Sequence, residues 1–148
     1  MLYQHLRSRG VAEGVAGPVI YKANLIIPIS ANVSKYKVEE NSPIERAFLV
    51  GLYVTDPGVQ VDETNTQATG DIFNSAYLEI MVNTLKVVTN LYLHQIKKAN
   101  DQGRPYYLYL PGRINLSESR LIVPKNDTIA ANTVIELQTD YAKPKEKE

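Results

Sequence analysis

The sequence predicts an all-β protein in which two antiparallel sheets pack face to face. Three observations support this prediction. Apolar and polar residues alternate over several short segments, the period of two that is typical of a half-buried strand. Clusters of proline, glycine and asparagine separate these segments, as turns do in sandwiches and barrels. The longest apolar run, residues 73–96, contains β-branched side chains that pack well on a sheet.

The apolar run decides between a β and a helical interpretation. Read as strands, it forms the segments 75–82 and 85–93, joined at Asn83-Thr84, a polar break where a hairpin can reverse. The alternative is one long helix, because several side chains of the run also fall near one face of a 3.6-residue repeat. The interior contains few strong helix formers, and its asparagines favour leaving a helix. We therefore predict strands.

The length and composition are those of one domain that can fold without disulfide or metal cross-links. A chain of 148 residues can bury a core of its own, and the lack of cysteine excludes disulfides and thiolate metal sites. Sixteen basic and sixteen acidic residues cancel, so no bulk charge attracts nucleic acid or an anionic membrane. No apolar run is long enough for a membrane span, and the N-terminus lacks the pattern of a signal peptide.

Taken in order, eight segments are predicted as strands: 19–29, 33–39, 46–55, 75–82, 85–93, 105–110, 114–123 and 133–141. In the first, odd-numbered apolar side chains share a face, and Pro28 indicates an edge or a strand end. The second is shorter and more polar. The third is apolar on both faces, and Gly51 within it predicts a bulge or a close backbone neighbour. One face of this third strand is predicted to hold Phe48, Val50, Leu52 and Val54.

A strong turn at Asp56-Pro57-Gly58 precedes residues 59–71, which are polar and aperiodic and are predicted to be a loop. Its acidic residues do not have EF-hand spacing, so a solvated loop is favoured over a calcium site. Residues 97–104 are predicted to be a polar connection. In the last strand alternate apolar residues face inward, whereas three polar residues are predicted to face solvent: Glu136, Gln138 and Asp140.

The predicted domain organisation has three parts. Residues 1–18 form a flexible N-terminal arm, residues 19–141 the β-sandwich domain and residues 142–148 a disordered charged tail. Eight strands in a domain of this size indicate an antiparallel jelly roll with two four-stranded sheets. An immunoglobulin-like sandwich is the alternative, because sequence does not fix the order of pairing.

No motif in the sequence indicates catalysis, a cofactor or a metal site. His5 and His94 have no patterned partner, and no serine lies in a nucleophile elbow. The chain is nevertheless rich in tyrosine, with ten tyrosines against two phenylalanines, and tyrosine is common at protein contacts. The predicted interaction surface consists of Tyr106, Tyr107, Tyr109, Arg7 and Arg9.

Three further features of the sequence resemble those of a known protein family. A G-x-x-x-x-D turn from Gly51 to Asp56 is followed by a long polar loop, Asn-Ser-Ala-Tyr-Leu opens a strand at residues 74–78, and Ile-Asn-Leu-Ser-Glu-Ser-Arg-Leu at 114–121 leads to a strand ending at Tyr141. Over residues 19–141 this series resembles small virion proteins of tailless icosahedral bacteriophages, namely single-jelly-roll penton-type and minor capsid proteins.

The resemblance implies a non-enzymatic structural protein of the capsid, assembled in the host cytoplasm. In such a role five copies surround a vertex, contact the major capsid protein and serve as the base of a spike protein. The family acts through surfaces, so no single functional residue is carried over. Two alternatives use the same architecture. One is a carbohydrate-binding or adhesin module that uses the tyrosines or the 59–71 loop. The other is a cupin-like enzyme, which needs clustered histidines that two distant ones do not supply.

Overall fold

The computed structural model describes residues 20–38 and 47–143. Within these ranges it contains nine strands: β1 (Tyr21–Pro28), β2 (Lys35–Lys37), β3 (Phe48–Val54), β4 (Thr66–Gln67), β5 (Tyr77–Val82), β6 (Leu85–Tyr92), β7 (Tyr106–Tyr107), β8 (Arg120–Ile122) and β9 (Thr133–Ala142). Two α-helices, α1 (Gly70–Ser75) and α2 (Leu93–Asp101), and a 3-10 turn at Leu116–Glu118 complete the regular structure of this part. None of its helices has the length and apolar character needed to cross a membrane.

The strands form two sheets. One has the order β1-β9-β3-β7, with β4 alongside β9, and the other has the order β2-β8-β5-β6. Among the described strands every pair is antiparallel except β4 with β9. One continuous core contains apolar side chains from both sheets, such as Leu25 and Leu137 from the first and Leu78 and Leu121 from the second. The two sheets therefore pack on each other, and the predicted all-β sandwich is confirmed.

The central apolar run is a hairpin, as predicted. β5 and β6 pair in antiparallel fashion, and Asn83 in the two-residue turn has a φ of 55°, which asparagine tolerates better than most residues. The interpretation as one long helix is therefore wrong.

Both ends of the run are helical, however. Phe73 belongs to α1 and Leu93 begins α2. Leu93, Ile96 and Ala99 recur with helical spacing and are buried, so much of the predicted connection at 97–104 is helix. His94 correspondingly lies in a helix and not at a strand end.

The bulge predicted at Gly51 is present, and it changes which side chains of β3 face the core. The register with β9 shifts between Leu49 and Gly51. Leu49 and Leu52 consequently belong to the main core, whereas Phe48 and Val50 pack with Ala142 in a separate cluster. The predicted shared face of Phe48, Val50, Leu52 and Val54 is wrong because the extra residue of a bulge reverses the alternation.

Gly51 also permits the close approach of the chain around β7. A Cβ at this position would lie 2.9 Å from the Cβ of Pro105, which is buried. We expect Gly51→Ala to lower the free energy of unfolding by about 1–3 kcal/mol, the cost of overpacking a tight site. Gly112→Ala is the control, because its Cβ would meet only a terminal methyl of Val82 at 3.3 Å. Equal losses for the two variants in urea unfolding would contradict this explanation.

Other strand boundaries differ from those predicted. The loop 59–71 contains β4 and the start of α1, and the predicted strand 114–123 is reduced to β8, preceded by an isolated bridge at Ile114 and the 3-10 turn. The predicted strand 105–110 is likewise reduced to β7. β9 runs to Ala142, one residue into the predicted tail. The predicted arm (1–18) and the end of the tail (144–148) lie outside the described residues.

The last strand also differs in which polar side chains are exposed. Gln138 is exposed as predicted, but Glu136 is 8% and Asp140 only 2% exposed. β9 lies between β1 and β3, so side chains on both sides can reach its carboxylates. Lys22 of β1 pairs with the Asp140 carboxylate at 2.9 Å, and the hydroxyl of Thr55, just after β3, donates to the Glu136 carboxylate.

Candidate functional site

An open groove of about 630 Å³ lies between α2 and the chain that follows it. One wall contains side chains of α2 and the residue after it: His94, Gln95, Lys98, Ala99 and Gln102. The facing wall contains Arg104, Tyr106, Tyr107 and Tyr109. The volume falls within the range of roughly 300–1,000 Å³ that small-molecule sites occupy. The space between the sheets is far smaller, about 20 Å³, so the groove is the better candidate for binding a ligand.

The helix wall is anchored at its start. Leu93 and Ile96 are fully buried and fasten α2 to the core. The side-chain oxygen of Gln95 accepts a hydrogen bond of 3.0 Å from the backbone N–H of Tyr92, which holds the first turn on the end of β6. Because one stripe of the helix is buried, His94 and Lys98 lie on its exposed side.

Asn100 anchors the other end of α2. Its side-chain oxygen accepts a hydrogen bond of 2.9 Å from the backbone N–H of Val54, and its amide nitrogen donates to the carbonyls of Leu52 at 3.3 Å and Arg104 at 3.0 Å. Asn100 thus connects the helix to both β3 and the groove's facing wall. Gly103, with a φ of 80°, makes the reversal between the two walls.

The pairing of β7 with β3 positions the tyrosines of the facing wall. Tyr106 pairs with Leu52 and packs against the main core, whereas Tyr107 pairs with Gly51 on the opposite side of the strand. Tyr109 follows the strand and is 54% exposed. The fold therefore brings all three predicted tyrosines to one groove. The predicted Arg7 and Arg9 lie outside the described residues, and their part in an interaction surface stays a prediction.

The groove has a positive character. Lys98 and Arg104 line it together with His94, and none of the lining residues that the structure describes is acidic. The neighbouring Lys97 does not line the groove; it pairs with Asp101 at 2.8 Å and Asp56 at 3.6 Å. The hydrogen bond to Asp101 raises the pKa of Lys97. The acidic side chains near α2 are therefore engaged by a lysine outside the groove.

A polar cluster separate from the groove lies on the sheet that contains β1, β9 and β3, on the face that points away from the core. The Nζ of Lys22 lies 2.9 Å from the buried Asp140 carboxylate and 5.3 Å from the centre of the Tyr53 ring. The hydrogen bond to Asp140 raises the pKa of Lys22 above 10.5, and burial raises the pKa of Tyr53 above 10.0.

Both shifts make the folded protein sensitive to alkali. A group whose pKa is raised by folding stabilises the fold below its unfolded pKa and loses that contribution as the pH rises through the folded value. We expect the urea midpoint to fall between about pH 9 and pH 12. The neutral pair Lys22→Gln/Asp140→Asn, combined with Tyr53→Phe, should make this fall shallower. An identical slope in the triple variant would contradict the assignment.

Among the acidic residues of the loop 59–71, Asp62 is engaged by the loop itself. The Asp62 carboxylate accepts hydrogen bonds of 2.8 Å from the backbone N–H groups of both Thr64 and Asn65, and the hydrogen bond from the Asn65 side chain lowers its pKa. This arrangement closes a turn. Over residues 20–38 and 47–143, no group of three or more histidine, cysteine or acidic side chains is placed to hold a metal ion.

Sequence reasoning identified the tyrosines of the groove but missed its helical wall. The signal was present: Leu93, Ile96 and Ala99 have helical spacing, and Gly103 and Pro105 follow as stop signals. Comparison with protein-family models, with curated proteins and with solved structures found no match to this chain.

Proposed function

We propose that this protein is a non-enzymatic structural protein of a virion, a penton or vertex protein built on a single jelly roll. The observation that carries the proposal is the order of the strands. A jelly roll is a long antiparallel ribbon wrapped over itself, so that its first strand pairs with its eighth, its second with its seventh, its third with its sixth and its fourth with its fifth.

The observed pairs support this part of the proposal. Leaving aside the short β4, β1 pairs with β9, β2 with β8, β3 with β7 and β5 with β6, as we would expect of such a ribbon. Jelly rolls occur in viral capsid and lectin domains and in cupins. Within this group the sequence resemblance to bacteriophage virion proteins favours the capsid role. The formal charge of zero adds support, since copies of a neutral chain repel one another little.

The proposal predicts closed self-association. Homo-oligomers in shells have closed rotational symmetry, and a vertex protein requires rings of five copies. Sedimentation velocity and negative-stain imaging of the full chain, over a range of concentrations and ionic strengths, should show such rings. A strictly monomeric chain under every condition, or a ring of another number, would overturn the vertex role.

A second candidate is a carbohydrate-binding or adhesin-type recognition module. The observation that favours it is the groove, in which Tyr106, Tyr107 and Tyr109 face the polar side of α2. Binding to a glycan array that disappears in Tyr107→Ala and Tyr109→Ala would support this candidate. An array on which the wild-type chain binds nothing would remove it.

A further inference from the structure

The groove has the charge to hold an anion. Lys98 on α2 and Arg104 opposite it supply two cations, and among the described residues no carboxylate lines the space between them. Two acidic residues near the helix, Asp101 and Asp56, are within 2.8 and 3.6 Å of the Nζ of Lys97. An anionic ligand would therefore meet positive charge without a competing carboxylate in the described part of the groove wall.

Arg104 is placed to recognise a carboxylate. Its backbone carbonyl accepts a hydrogen bond of 3.0 Å from the Asn100 amide. Its Nη2 donates to the side-chain oxygen of Gln102 at 3.2 Å, and its Nη1 donates to the carbonyl of Pro105 at 3.5 Å. A guanidinium carries five N–H donors in a planar fork, so these two contacts orient the group and leave its other donors for a ligand. Arginine and carboxylate pair in a bidentate manner through such a fork.

The aromatic side chains suit a sugar ring. Tyr106 is held by the pairing of β7 with β3, and Tyr107 and Tyr109 continue along the same wall. A tyrosine ring offers an apolar face with a polar tip, which matches a pyranose that has a C–H face and hydroxyl edges. The amides of Gln95 and Gln102 line the opposite wall and can donate or accept hydrogen bonds with sugar hydroxyls.

Size and shape favour a saccharide over a polymer. Single-stranded nucleic acid occupies a continuous cationic track of about 4–16 nucleotides in the OB-fold domains that bind it, which a groove of about 630 Å³ with two permanent cations does not provide. A peptide that adds as a strand requires a straight free edge. Here β7 is two residues long and the pairing of β6 is interrupted by two register shifts.

We infer that this groove binds a small acidic saccharide, of one or two sugar rings, whose carboxylate is held by Arg104 and Lys98. The inference rests on the second candidate function and specifies its ligand class. The tyrosines supply the platform for the ring, and the cations select the acidic sugar over its neutral counterpart.

The test is calorimetric titration of the full chain with a disaccharide containing glucuronic acid, with its neutral glucose counterpart and with a short oligothymidylate. The acidic disaccharide is expected to bind best. Arg104→Lys, which keeps the charge but loses the fork, and Lys98→Gln should each weaken binding about tenfold, the loss expected for a charged hydrogen bond. Lys125→Gln is the control, because this exposed lysine does not line the groove and should leave affinity unchanged.

The possible outcomes distinguish a failure of the inference from a failure of the second candidate function, on which it rests. Equal binding of neutral and acidic disaccharides, unaffected by Arg104→Lys, would overturn the acidic specificity and leave a saccharide module in place. If neither disaccharide bound, both the inference and the second candidate function would be overturned. Preference for oligothymidylate, or an equal loss in Lys125→Gln, would overturn the inference. Circular dichroism of each variant confirms that these exposed substitutions leave the fold intact.

Discussion

Replacing Phe73 by alanine should lower the free energy of unfolding by about 3–5 kcal/mol, the loss typical of truncating a large buried aromatic side chain. Phe73 is 1% exposed, lies in the main core and is the buried residue of α1. A helix of six residues is too short to be stable alone, so this ring holds the connection between β4 and β5 in place. The loss would be a large share of the roughly 5–15 kcal/mol that stabilises an ordinary domain.

The matched control for this prediction is Asn74→Ala. Asn74 is the next residue of the same helix and is exposed, and alanine there changes no core contact. Its effect should stay within about 0.5 kcal/mol. Urea unfolding followed by circular dichroism measures both variants, and a loss below about 1.5 kcal/mol for Phe73→Ala would show that the site collapses around the missing ring. Because α1 contacts α2, Phe73→Ala should also weaken the proposed binding of an acidic saccharide in the groove.

Replacing Gln67 by leucine should lower the free energy of unfolding by about 2–4 kcal/mol, although leucine has a similar size and is more apolar. Gln67 is 1% exposed. Its side-chain oxygen accepts a hydrogen bond of 2.7 Å from the N–H of Glu136, and its amide nitrogen donates to the carbonyl of Thr55 at 2.9 Å. Leucine leaves both backbone groups unpaired where water has little access, and each costs about 1–3 kcal/mol.

The control for this second prediction is Gln60→Leu in the same loop. Gln60 is exposed and donates one hydrogen bond, 3.2 Å long, to the carbonyl of Glu63. Water replaces that partner when the side chain is lost, so the cost should be small. Equal destabilisation by the two substitutions would show that bridging β9 and the end of β3 is not what makes Gln67 important.

Much of the fold follows from local patterns in the sequence. Each of the eight predicted segments contains a strand, although β4 lies in a predicted loop and several strands are shorter than predicted. The polar break Asn83-Thr84 marked the hairpin, where Asn83 adopts a positive φ. Gly51 marked the bulge, but its consequence for the side chains of β3 was missed, because a bulge shifts every later side chain to the other face. The helix α2 was missed because its apolar stripe continues directly from that of β6.

The groove, too, was only partly predictable from the sequence. The three tyrosines were found from composition and from their position in a strand, whereas Lys98, Gln95 and Arg104 acquire a shared role only when α2 lies against the chain after Gly103. That arrangement depends on Asn100, whose partners Leu52 and Val54 lie 48 and 46 residues away in the sequence. No local spacing indicates such a contact.

By itself the sequence determined the all-β class, the approximate positions of most strands and the site of the bulge, because these depend on side-chain period and on the backbone preferences of single residues. Only the tertiary structure decided which strands pair, which polar side chains become buried and which side chains share a groove. Asp140 shows why: its partner Lys22 is 118 residues distant. A buried carboxylate and a solvated one look the same in sequence until folding brings a strand to each side of it.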